Sequence, residues 1–305
     1  MVDKLKKIWM NGKLVDWDNA QVHVLSHALH YGTSVFEGVR SYELADGGRG
    51  VFRLKEHTKR LFESARILLM TIPYTEDQIN DAILETLKAN DVKGAYIRPI
   101  AFIGEGAMGL YAVNNPVTVS ISCWVWGAYL GEEGVRNGIR GKVSSYARMH
   151  VNTHMTKSKA GGNYINSILA KREVSLAGYE EAIMLDTDGY VSECSGENIY
   201  VVKDGVIKTP PLTAVLNGIT RNSVIRIARD EGLTLVEGRF TRDEMYVADE
   251  VFMSGTAAEL TPIREIDDRP VGTGKPGPVT KLLQERYRQA VTGALPKYAD
   301  WVTRF

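Results

Sequence analysis

Two-residue turns between short apolar runs place the first limit on how this chain folds. Asn11-Gly12, Asp188-Gly189 and Asp204-Gly205 each separate two runs of apolar residues. Such pairs favour the tight turn of a β-hairpin because both residues tolerate a positive φ. Longer segments with apolar residues three and four positions apart lie elsewhere along the chain and predict helices. The sequence therefore predicts a mixed α/β (α+β) fold that contains antiparallel strands.

The predicted elements continue along the whole chain. Capping-box patterns at Thr75-x-x-Gln78 and Thr241-x-x-Glu244 mark the starts of two helices. The other predicted helices cover 55–69, a segment from 163 onward, 220–232 and 278–291. Predicted strands cover 8–10, 13–15, 51–54, 95–103, 117–125, 182–185, 190–192, 199–202 and 206–208.

The balance of charge limits the classes of partner. The chain of 305 residues carries 37 basic and 37 acidic side chains, so its formal net charge is zero. A nucleic-acid partner is not expected, because no basic excess exists to neutralise phosphates. A membrane is not expected either, because no apolar segment has the composition of a span and no secretory pattern opens the chain. With Cys123 and Cys194 as its two thiols, the expected location is the cytoplasm.

The length and a glycine-rich segment predict the domain organisation. A chain of this length usually forms about two domains. Residues 127–138 include four glycines and are flanked by apolar segments. We therefore predict a small N-terminal α/β domain over 1–125, an interdomain loop over 126–138 and a larger C-terminal domain over 139–305.

Two patterns resemble ligand sites but have simpler interpretations. A Gly-x-Gly-x-x-Gly pattern over 272–277 matches the dinucleotide motif, yet prolines crowd it and no βαβ unit surrounds it. A surface loop before the last helix is the better interpretation. His23, His27 and His30 would share one helix face, but no acidic partner lies nearby and no zinc motif is present. We therefore expect no metal.

One lysine precedes an unusual run of small residues. Lys159 is followed by Ala160, Gly161 and Gly162, just before a predicted helix. Small neighbours allow a ligand to approach closely and leave the lysine partly desolvated, which favours the neutral amine that carbonyl chemistry requires. Taken alone, a solvated lysine in a glycine loop is the better interpretation.

Two further loops change that interpretation. Residues 217–221 precede a predicted helix, whose first amides and dipole favour an anion, together with the hydroxyl of Thr220. Residues 254–258 form a second loop of small residues that includes a hydroxyl. A lysine combined with two phosphate-binding loops indicates a phosphorylated aldehyde cofactor, pyridoxal 5'-phosphate.

This cofactor also needs an acid beside its pyridine nitrogen, because a carboxylate keeps the ring protonated and able to accept electrons. Glu193 follows the predicted hairpin at Asp188-Gly189 and is one candidate. Glu197 is the other candidate, and the residues alone do not decide between them.

Six motifs occur in order along the chain. They cover 27–32, 35–40, 96–99, 159–164, 218–221 and 254–257. With these motifs the chain resembles, over nearly its whole length, the branched-chain amino-acid aminotransferases of the bacterial type. That family belongs to the fold type IV pyridoxal-phosphate enzymes, so the resemblance implies a barrel-like β core in the larger C-terminal domain.

The resemblance implies roles on the cofactor side of the site. Lys159 matches the catalytic lysine that holds the cofactor aldehyde and carries the proton. Tyr164 matches the partner of the phenolic oxygen, and Glu193 matches the acid at the pyridine nitrogen. Arg60 matches the charged phosphate ligand, a task that suits its planar fork of donors. The remaining cofactor-binding positions are Gly218, Ile219, Thr220, Gly255 and Thr256.

The resemblance also implies the substrates and their contacts. Tyr96 with the amides of Ala257 and Ala258 matches the α-carboxylate site, and Arg98 matches the residue for the side-chain carboxylate of glutamate. The expected substrates are the L-branched-chain amino acids leucine, isoleucine and valine, L-glutamate, and their 2-oxo acids. The other positions implied in substrate binding are Tyr31, Phe36, Leu110, Trp126 and Tyr129.

An oligomer follows from the same resemblance. In this family part of the pocket comes from the neighbouring subunit, and Tyr31 and Leu110 are the expected donors. A homodimer is then the minimum active unit, and a hexamer is the larger assembly considered.

Three alternatives stay open at this point. A D-amino-acid aminotransferase, an (R)-amine transaminase or an aminodeoxychorismate lyase would share the fold. A non-catalytic scaffold or pyridoxal-phosphate carrier would not need the combination of Lys159, Tyr164 and Glu193. A cofactor-free lysine aldolase would lack the colour of a bound cofactor.

Overall fold

The structure, a computed structural model, describes residues 2–127 and 129–305. The described residues fall into two compact units, and both include segments that are distant in sequence. Residue 128, within the predicted loop over 126–138, lies outside the described residues. Within the described residues, the first unit comprises 2–126, Ser158–Gly162 and Ala290–Phe305, and the second comprises 127, 129–157 and Asn163–Gln289.

Strands and helices occur in both units, which confirms the predicted mixed α/β class. The strands are β1 (Lys7–Met10), β2 (Lys13–Asp16), β3 (Ser34–Phe36), β4 (Val39–Glu43), β5 (Arg49–Phe52), β6 (Ala95–Ile103), β7 (Val117–Trp124), β8 (Ile139–Val143), β9 (Glu181–Leu185), β10 (Val191–Cys194), β11 (Asn198–Lys203), β12 (Val206–Thr209), β13 (Thr234–Glu237), β14 (Glu250–Gly255), β15 (Glu259–Ile266), β16 (Arg269–Pro270) and β17 (Val302–Arg304). The helices are α1 (His27–Tyr31), α2 (Leu54–Ile67), α3 (Glu76–Asn90), α4 (Gly131–Asn137), α5 (Tyr164–Leu176), α6 (Ile219–Asp230), α7 (Arg242–Tyr246) and α8 (Pro278–Val291).

The first unit is built on an eight-stranded sheet in the order β17-β5-β4-β6-β7-β1-β2, with β3 paired to β6. Asn11 and Gly12 have φ values of 47° and 93°, the left-handed geometry that the predicted β1–β2 turn requires. Helices α2 and α3 pack on the sheet, and α3 begins with the predicted capping box at Thr75. The apolar core that they share includes Leu61, Ile79, Ile83, Leu87 and Ile97.

The second unit is built on a nine-stranded sheet in the order β10-β9-β8-β15-β14-β11-β12-β13, with β16 paired to β15. Strand β8 runs parallel to both of its neighbours, and β12 runs parallel to β13. The edge strand β10 ends at Cys194 and the inner strand β11 begins at Asn198, so a turn of three residues brings the edge close to the middle of the sheet. In this turn the Cys194 N–H donates to the Glu197 carbonyl oxygen (2.8 Å). The sheet therefore curls on itself, as the expected barrel-like core requires.

The strongest sequence patterns are confirmed, and the differences have identifiable causes. Helix α8 has the predicted bounds, and α7 follows the predicted capping box at Thr241. The predicted loop over 126–138 contains α4, because Gly131 and Gly138 lie at the two ends of a short helix rather than in an open loop. No helix among the described residues is both long and apolar enough to cross a membrane.

Candidate active site

The segment that carries Lys159 lies against β3 and α2 of the first unit. The Phe36 N–H donates to the Lys159 carbonyl oxygen (3.1 Å), and the Lys159 N–H donates to the Ser64 hydroxyl on α2 (3.0 Å). The Ser158 hydroxyl donates to the Ser64 carbonyl oxygen (3.1 Å). The ammonium nitrogen of Lys159 lies 5.1 Å from the centre of the Phe36 ring. The backbone of a half-buried lysine is therefore fixed from two sides.

The small residues after Lys159 are required by this docking. A Cβ on Gly161 would lie 2.2 Å from the hydroxyl oxygen of Ser34, which is far inside normal contact. The Gly162 N–H donates to the Gly32 carbonyl oxygen (3.2 Å), so these two glycine backbones also pack closely. The small side chains thus serve the packing of the lysine segment, beyond any room that they leave for a ligand.

A buried ion pair holds Arg60 in the first unit. Arg60 projects from α2, and its Nε and Nη2 donate to the two carboxylate oxygens of Glu37 at 2.6 and 2.9 Å. His57, on the same helix, has its Nδ1 2.7 Å from Glu37 Oε2. All three residues are at most 7 % exposed. Because the contact between Arg60 and Glu37 has two points, it fixes the plane of the guanidinium group.

The protonation of this cluster follows from burial and pairing. Burial favours a neutral Glu37, but Arg60 and His57 outweigh it and hold the pKa of Glu37 well below its usual range. Burial lowers the pKa of His57; Glu37 opposes that shift, whereas Arg60 and Lys159 add to it. Near neutral pH, Glu37 is therefore an anion, His57 is neutral and Arg60 carries the positive charge.

Arg98 lies within an aromatic wall of the first unit. Its guanidinium carbon is 4.6 Å from the centre of the Phe36 ring, and its Nη2 donates to the Tyr96 hydroxyl (3.2 Å). Trp126 packs edge-on against Tyr96, with 4.9 Å between ring centres. Within the described part of the chain, no hydrogen-bond acceptor meets the buried Nε of Arg98. Arg98 therefore offers a donor to an acceptor group on a ligand.

Tyr31 and Leu110, also predicted to bind substrate, lie on the surface of the first unit. Tyr31 ends α1 and is 45 % exposed, and Leu110 is 91 % exposed. His27 Nε2 lies 2.7 Å from the Gly109 carbonyl oxygen, which ties α1 to the segment that carries Leu110. The described chain itself thus leaves both side chains largely uncovered.

In the second unit, Glu193 lies on β10 with partners for both of its oxygens. Its Oε1 lies 2.8 Å from Nε of Arg148. Its Oε2 accepts the Leu216 N–H (3.1 Å) and lies 3.5 Å from the donor Nδ2 of Asn198. Glu193 is 5 % exposed, and Glu197, the competing candidate, is 6 % exposed. A buried carboxylate with a cationic partner can present negative charge to a ring nitrogen.

The turn at 218–220 opens helix α6 and is held by Asn198. Asn198 Nδ2 donates to the Leu216 carbonyl oxygen (3.1 Å), and a Cβ on Gly218 would lie only 2.1 Å from Asn198 Oδ1. Ile219 is the first residue of this 12-residue helix, and Thr220 is buried beside it. Its first amides and the Thr220 hydroxyl are suited to an anion.

The second predicted phosphate loop lies between two long strands. Gly255 ends β14, and the next three residues lead directly into β15. Ala258 is buried, and its carbonyl oxygen accepts the Thr261 hydroxyl (2.8 Å). The loop that includes Thr256 and Ala257 is therefore short and anchored at both ends.

Two predicted tyrosines also belong to the second unit. Tyr164 is the first residue of α5 and is partly buried. Tyr129 lies before α4, and the ammonium of Lys171, from α5, lies 5.9 Å from the centre of its ring. The helix that begins with Tyr164 therefore also contacts Tyr129 through Lys171.

Each unit, considered by itself, presents side chains of the kinds that bind pyridoxal phosphate. The first unit provides the amine of Lys159 and the guanidinium of Arg60. The second provides the Glu193 carboxylate, the Tyr164 phenol and the helix start at Gly218, which accepts no side chain. Among the described residues, no group of three or more histidine, cysteine or acidic side chains is placed to hold a metal.

Four residues that surround the predicted site were not singled out as functional by the sequence. Glu37 and His57 contact Arg60, and the spacing of His57 and Arg60 on one helix face is a signal that could have identified that pair. Arg148 and Asn198 contact Glu193 through the fold of the second unit. Arg148 lies 45 positions before Glu193, and no local pattern connects them.

Most of the chain matches one protein family, and named enzymes are similar to it over almost its whole length. Residues 34–266 match the family described as "Amino-transferase class IV". The branched-chain-amino-acid aminotransferase of Pseudomonas aeruginosa is 52 % identical over 303 residues, which cover 99 % of this chain and 98 % of the relative. The enzyme of that name from Escherichia coli K12 is 46 % identical over 304 residues, covering 98 % and 97 %.

Solved structures show the same similarity. The T.th. branched-chain amino acid aminotransferase with pyridoxamine 5'-phosphate matches with a TM-score of 0.95 and 52 % identity, covering 98 % of each chain. The same enzyme complexed with N-(5'-phosphopyridoxyl)-L-glutamate matches with a TM-score of 0.92 and 50 % identity, again covering 98 % of each chain. The chain belongs to the class IV aminotransferase family and, within it, to the branched-chain-amino-acid aminotransferases. The resemblance seen in the sequence is thereby confirmed.

Proposed function

We propose that this protein transfers the amino group between L-leucine, L-isoleucine or L-valine and 2-oxoglutarate with pyridoxal 5'-phosphate as cofactor. The observation that carries the proposal is the similarity, over almost the entire chain, to enzymes of that name. When bound, pyridoxal phosphate supplies an aldehyde that takes up the amino group and a ring that accepts electrons. The amino donor and the 2-oxo acid would use the site in turn, in a ping-pong order.

Lys159 is the proposed catalytic residue. Its amine holds the cofactor aldehyde in the resting protein, and after release it moves the proton at the substrate α-carbon. The hydrogen bonds from Phe36 and to Ser64 fix the backbone from which the side chain swings. This arrangement supports the role because a proton carrier needs a short, reproducible reach.

The other proposed contacts bind the phosphate, the pyridine nitrogen and the phenolic oxygen of the cofactor. Arg60 binds the phosphate group with its guanidinium, whose plane is fixed by the two-point contact with Glu37. Glu193 faces the pyridine nitrogen, and its pairing with Arg148 supports this role. Tyr164 donates to the phenolic oxygen. The remaining phosphate contacts proposed are Gly218, Ile219, Thr220, Gly255 and Thr256.

On the substrate side, the aromatic wall serves two kinds of side chain. Arg98 is proposed to bind the side-chain carboxylate of glutamate, for which its buried Nε offers a donor. For an aliphatic side chain, Phe36 and Trp126 provide apolar surface, and the Tyr96 hydroxyl keeps Arg98 partly satisfied. The α-carboxylate is proposed to meet Tyr96 and the amides of Ala257 and Ala258. Tyr129 is proposed as a further contact in the substrate pocket.

A second copy of the chain is proposed to complete the pocket with Tyr31 and Leu110. Their exposure supports this, because large apolar side chains that the chain leaves uncovered commonly belong to an interface. A homodimer is the proposed minimum, and a hexamer is the larger assembly proposed. The proposed location is the cytoplasm, which the two free, buried thiols support.

A panel of amino donors with 2-oxoglutarate tests the proposal. L-leucine is expected to react and to bleach the visible absorption of the bound cofactor, whereas D-alanine and (R)-1-phenylethylamine are expected to leave it unchanged. Activity with D-alanine alone would contradict the proposed substrate class. Lys159→Ala should lose both turnover and the absorption of the lysine-bound cofactor, and Lys59→Ala, an exposed lysine on α2, serves as its control.

A further inference from the structure

A buried arginine pairs with the acid that the proposed function places at the cofactor ring. Arg148 and Glu193 are 8 % and 5 % exposed, and Nε of the arginine lies 2.8 Å from Oε1 of the glutamate. The Arg148 Nη1 donates to the Ser167 hydroxyl on α5 (3.2 Å). Its backbone N–H donates to the Leu185 carbonyl oxygen at the end of β9 (2.7 Å). Arg148 is therefore fixed at both its main chain and its guanidinium group.

We propose that Arg148 is a positioning residue that keeps Glu193 ionised, so that the proton shared by Glu193 and the pyridine nitrogen stays on the nitrogen. The inference rests on the proposed use of pyridoxal phosphate. A carboxylate buried without a cation binds a proton more strongly, because burial disfavours its charged form. Arg148 offsets that cost through its 2.8 Å contact with the carboxylate, and the ring keeps the positive charge that lets it accept electrons.

The surroundings of Glu193 explain why a cation is needed there. Burial raises the pKa of the neighbouring Cys194 thiol well above its usual value, and the negative charges of Glu181, Glu197 and Glu193 raise it further. Of these acids, Glu181 has its own cation, because Lys171 lies 2.7 Å from its Oε2. Negative charge is therefore concentrated around Cys194. The neighbouring acids repel the Glu193 carboxylate, and a cation in contact with Glu193 offsets that repulsion.

Lys157 is a second cation that interacts electrostatically with Glu193, but its ammonium binds backbone carbonyl groups. Burial lowers the pKa of Lys157, whereas Glu193 opposes that shift and Arg221 adds to it. Its ammonium donates to the carbonyl oxygens of Leu212 and Val215, the latter at 2.9 Å. Lys157 thus anchors the loop that leads to α6, and Arg148 is the cation in direct contact with the Glu193 carboxylate.

The inference predicts that Arg148 acts through the ring nitrogen alone. In the test, the purified protein is stripped of cofactor and titrated with pyridoxal 5'-phosphate and with its 1-deaza analogue, in which a C–H group replaces the ring nitrogen. Arg148→Gln should weaken binding of pyridoxal phosphate by about 10-fold, as expected for a perturbed charged hydrogen bond. Binding of the deaza analogue should change less than about 2-fold, since it has no proton to share.

A second readout follows the proton itself. With cofactor labelled with ¹⁵N at the ring, the nitrogen resonance of the wild-type holoprotein should lie at the protonated value, and in Arg148→Gln it should move toward the unprotonated value. Arg148→Lys should restore most of the wild-type signal, because it returns a positive charge. Arg239→Gln is the matched control, since that arginine pairs with Asp186 and Asp188 on the surface of the same unit.

The outcomes separate this inference from the proposed function. Failure of the wild-type protein to bind pyridoxal phosphate would overturn the proposed function. If the wild type binds it, equal losses for both cofactors in Arg148→Gln would mean a purely structural role and would overturn the inference alone. A ring nitrogen that stays protonated in Arg148→Gln would also overturn it. If Arg148→Gln does not fold, Ser167→Ala is tested instead. Its loss of affinity for pyridoxal phosphate and its change in the ring-nitrogen resonance should have the same direction and be smaller.

Discussion

At the scale of single residues, the cluster of Glu37, His57 and Arg60 shows how a charge can be kept inside a protein. A buried guanidinium is costly unless a carboxylate and further hydrogen bonds compensate it. Glu37 meets Arg60 through two atoms and His57 through one, and it is completely buried. The net charge of the cluster is zero near neutral pH. Because two contacts with Glu37 fix the Arg60 guanidinium, a bound phosphate would meet a fixed donor rather than a mobile cation.

Replacing Glu37 with Gln should expose this dependence. Arg60 would keep its burial but lose its counter-ion, so the free energy of unfolding should fall by about 3–5 kcal/mol. The affinity of the protein for pyridoxal phosphate should fall at least about 10-fold, because the guanidinium plane is no longer fixed. Urea unfolding of the protein without cofactor and a cofactor titration measure the two effects.

The matched control is Glu43→Gln, which removes an exposed partner of Lys93 by the same chemical change. It should leave both measurements close to those of the wild type, since exposed ion pairs contribute little. If Glu37→Gln behaves like Glu43→Gln, the buried pair neither stabilises the fold nor supports cofactor binding by Arg60.

The same residue predicts a dependence on pH. The pKa of Glu37 is depressed in the folded protein, so the unfolded chain binds the proton more strongly. Its contribution to stability is therefore complete above the unfolded pKa of about 4.3 and is lost as the pH falls below it. The difference in unfolding free energy between wild type and Glu37→Gln should be constant from pH 7 to 5 and shrink toward pH 3. A difference that grows on acidification would contradict this assignment.

At the scale of elements, one helix and one strand end organise most of the site. Helix α2 carries Arg60 and His57 and also presents Ser64 to the backbone of Lys159. In the second unit, Asn198 at the start of β11 contacts both Glu193 and Leu216. Helix α2 therefore positions both the proposed phosphate ligand Arg60 and the backbone of Lys159. Asn198 likewise positions both Glu193 and the turn before α6.

The distance along the chain between contacting residues explains what the sequence could and could not predict. Helix α8 and the Thr75 capping box depend on neighbours within a few positions, so local patterns predicted them correctly. Strands β14 and β15 were not predicted, because strands buried in the middle of a sheet lack the alternation that marks a half-buried one. Lys159 was predicted from the small residues after it and the two phosphate loops, and then matched to the family motifs. Its partner Ser64 lies 95 positions away and follows only from the tertiary fold.

A substitution at Gly218 tests the clamp at Asn198. The new Cβ in Gly218→Ala would lie 2.1 Å from Asn198 Oδ1, and this buried amide cannot turn away without losing its hydrogen bond to Leu216. We expect the start of α6 to shift and phosphate affinity to fall at least about 10-fold. Inorganic phosphate binding to the protein without cofactor, measured by calorimetry, reports this loss directly.

Gly196→Ala is the control for that experiment. Gly196 lies in the same unit, two residues before Asn198, and a Cβ there would meet nothing within 4 Å. It should bind phosphate like the wild type. Equal phosphate affinities for Gly218→Ala and Gly196→Ala would show that the contact with Asn198 does not hold the turn.

At the scale of the whole molecule, the distribution of exposed apolar side chains indicates a partner surface on the first unit. Val24, Leu29, Leu110 and Tyr111 are each more than 60 % exposed. They lie on two segments that the contact between His27 and the Gly109 carbonyl oxygen joins. Exposed apolar clusters of this kind are typical of permanent interfaces.

A charge placed in that cluster should separate the proposed dimer and lower its activity together. Leu110→Asp would bury a carboxylate at the interface, so the protein should sediment at the monomer mass at micromolar concentration. Turnover of L-leucine should fall at least about 10-fold, because the pocket would lose the contacts proposed for the second copy. Leu176→Asp, at a residue that is also 91 % exposed but lies in the second unit, should keep the wild-type mass and turnover. A Leu110→Asp protein that stays dimeric and fully active would show that this cluster is not the interface.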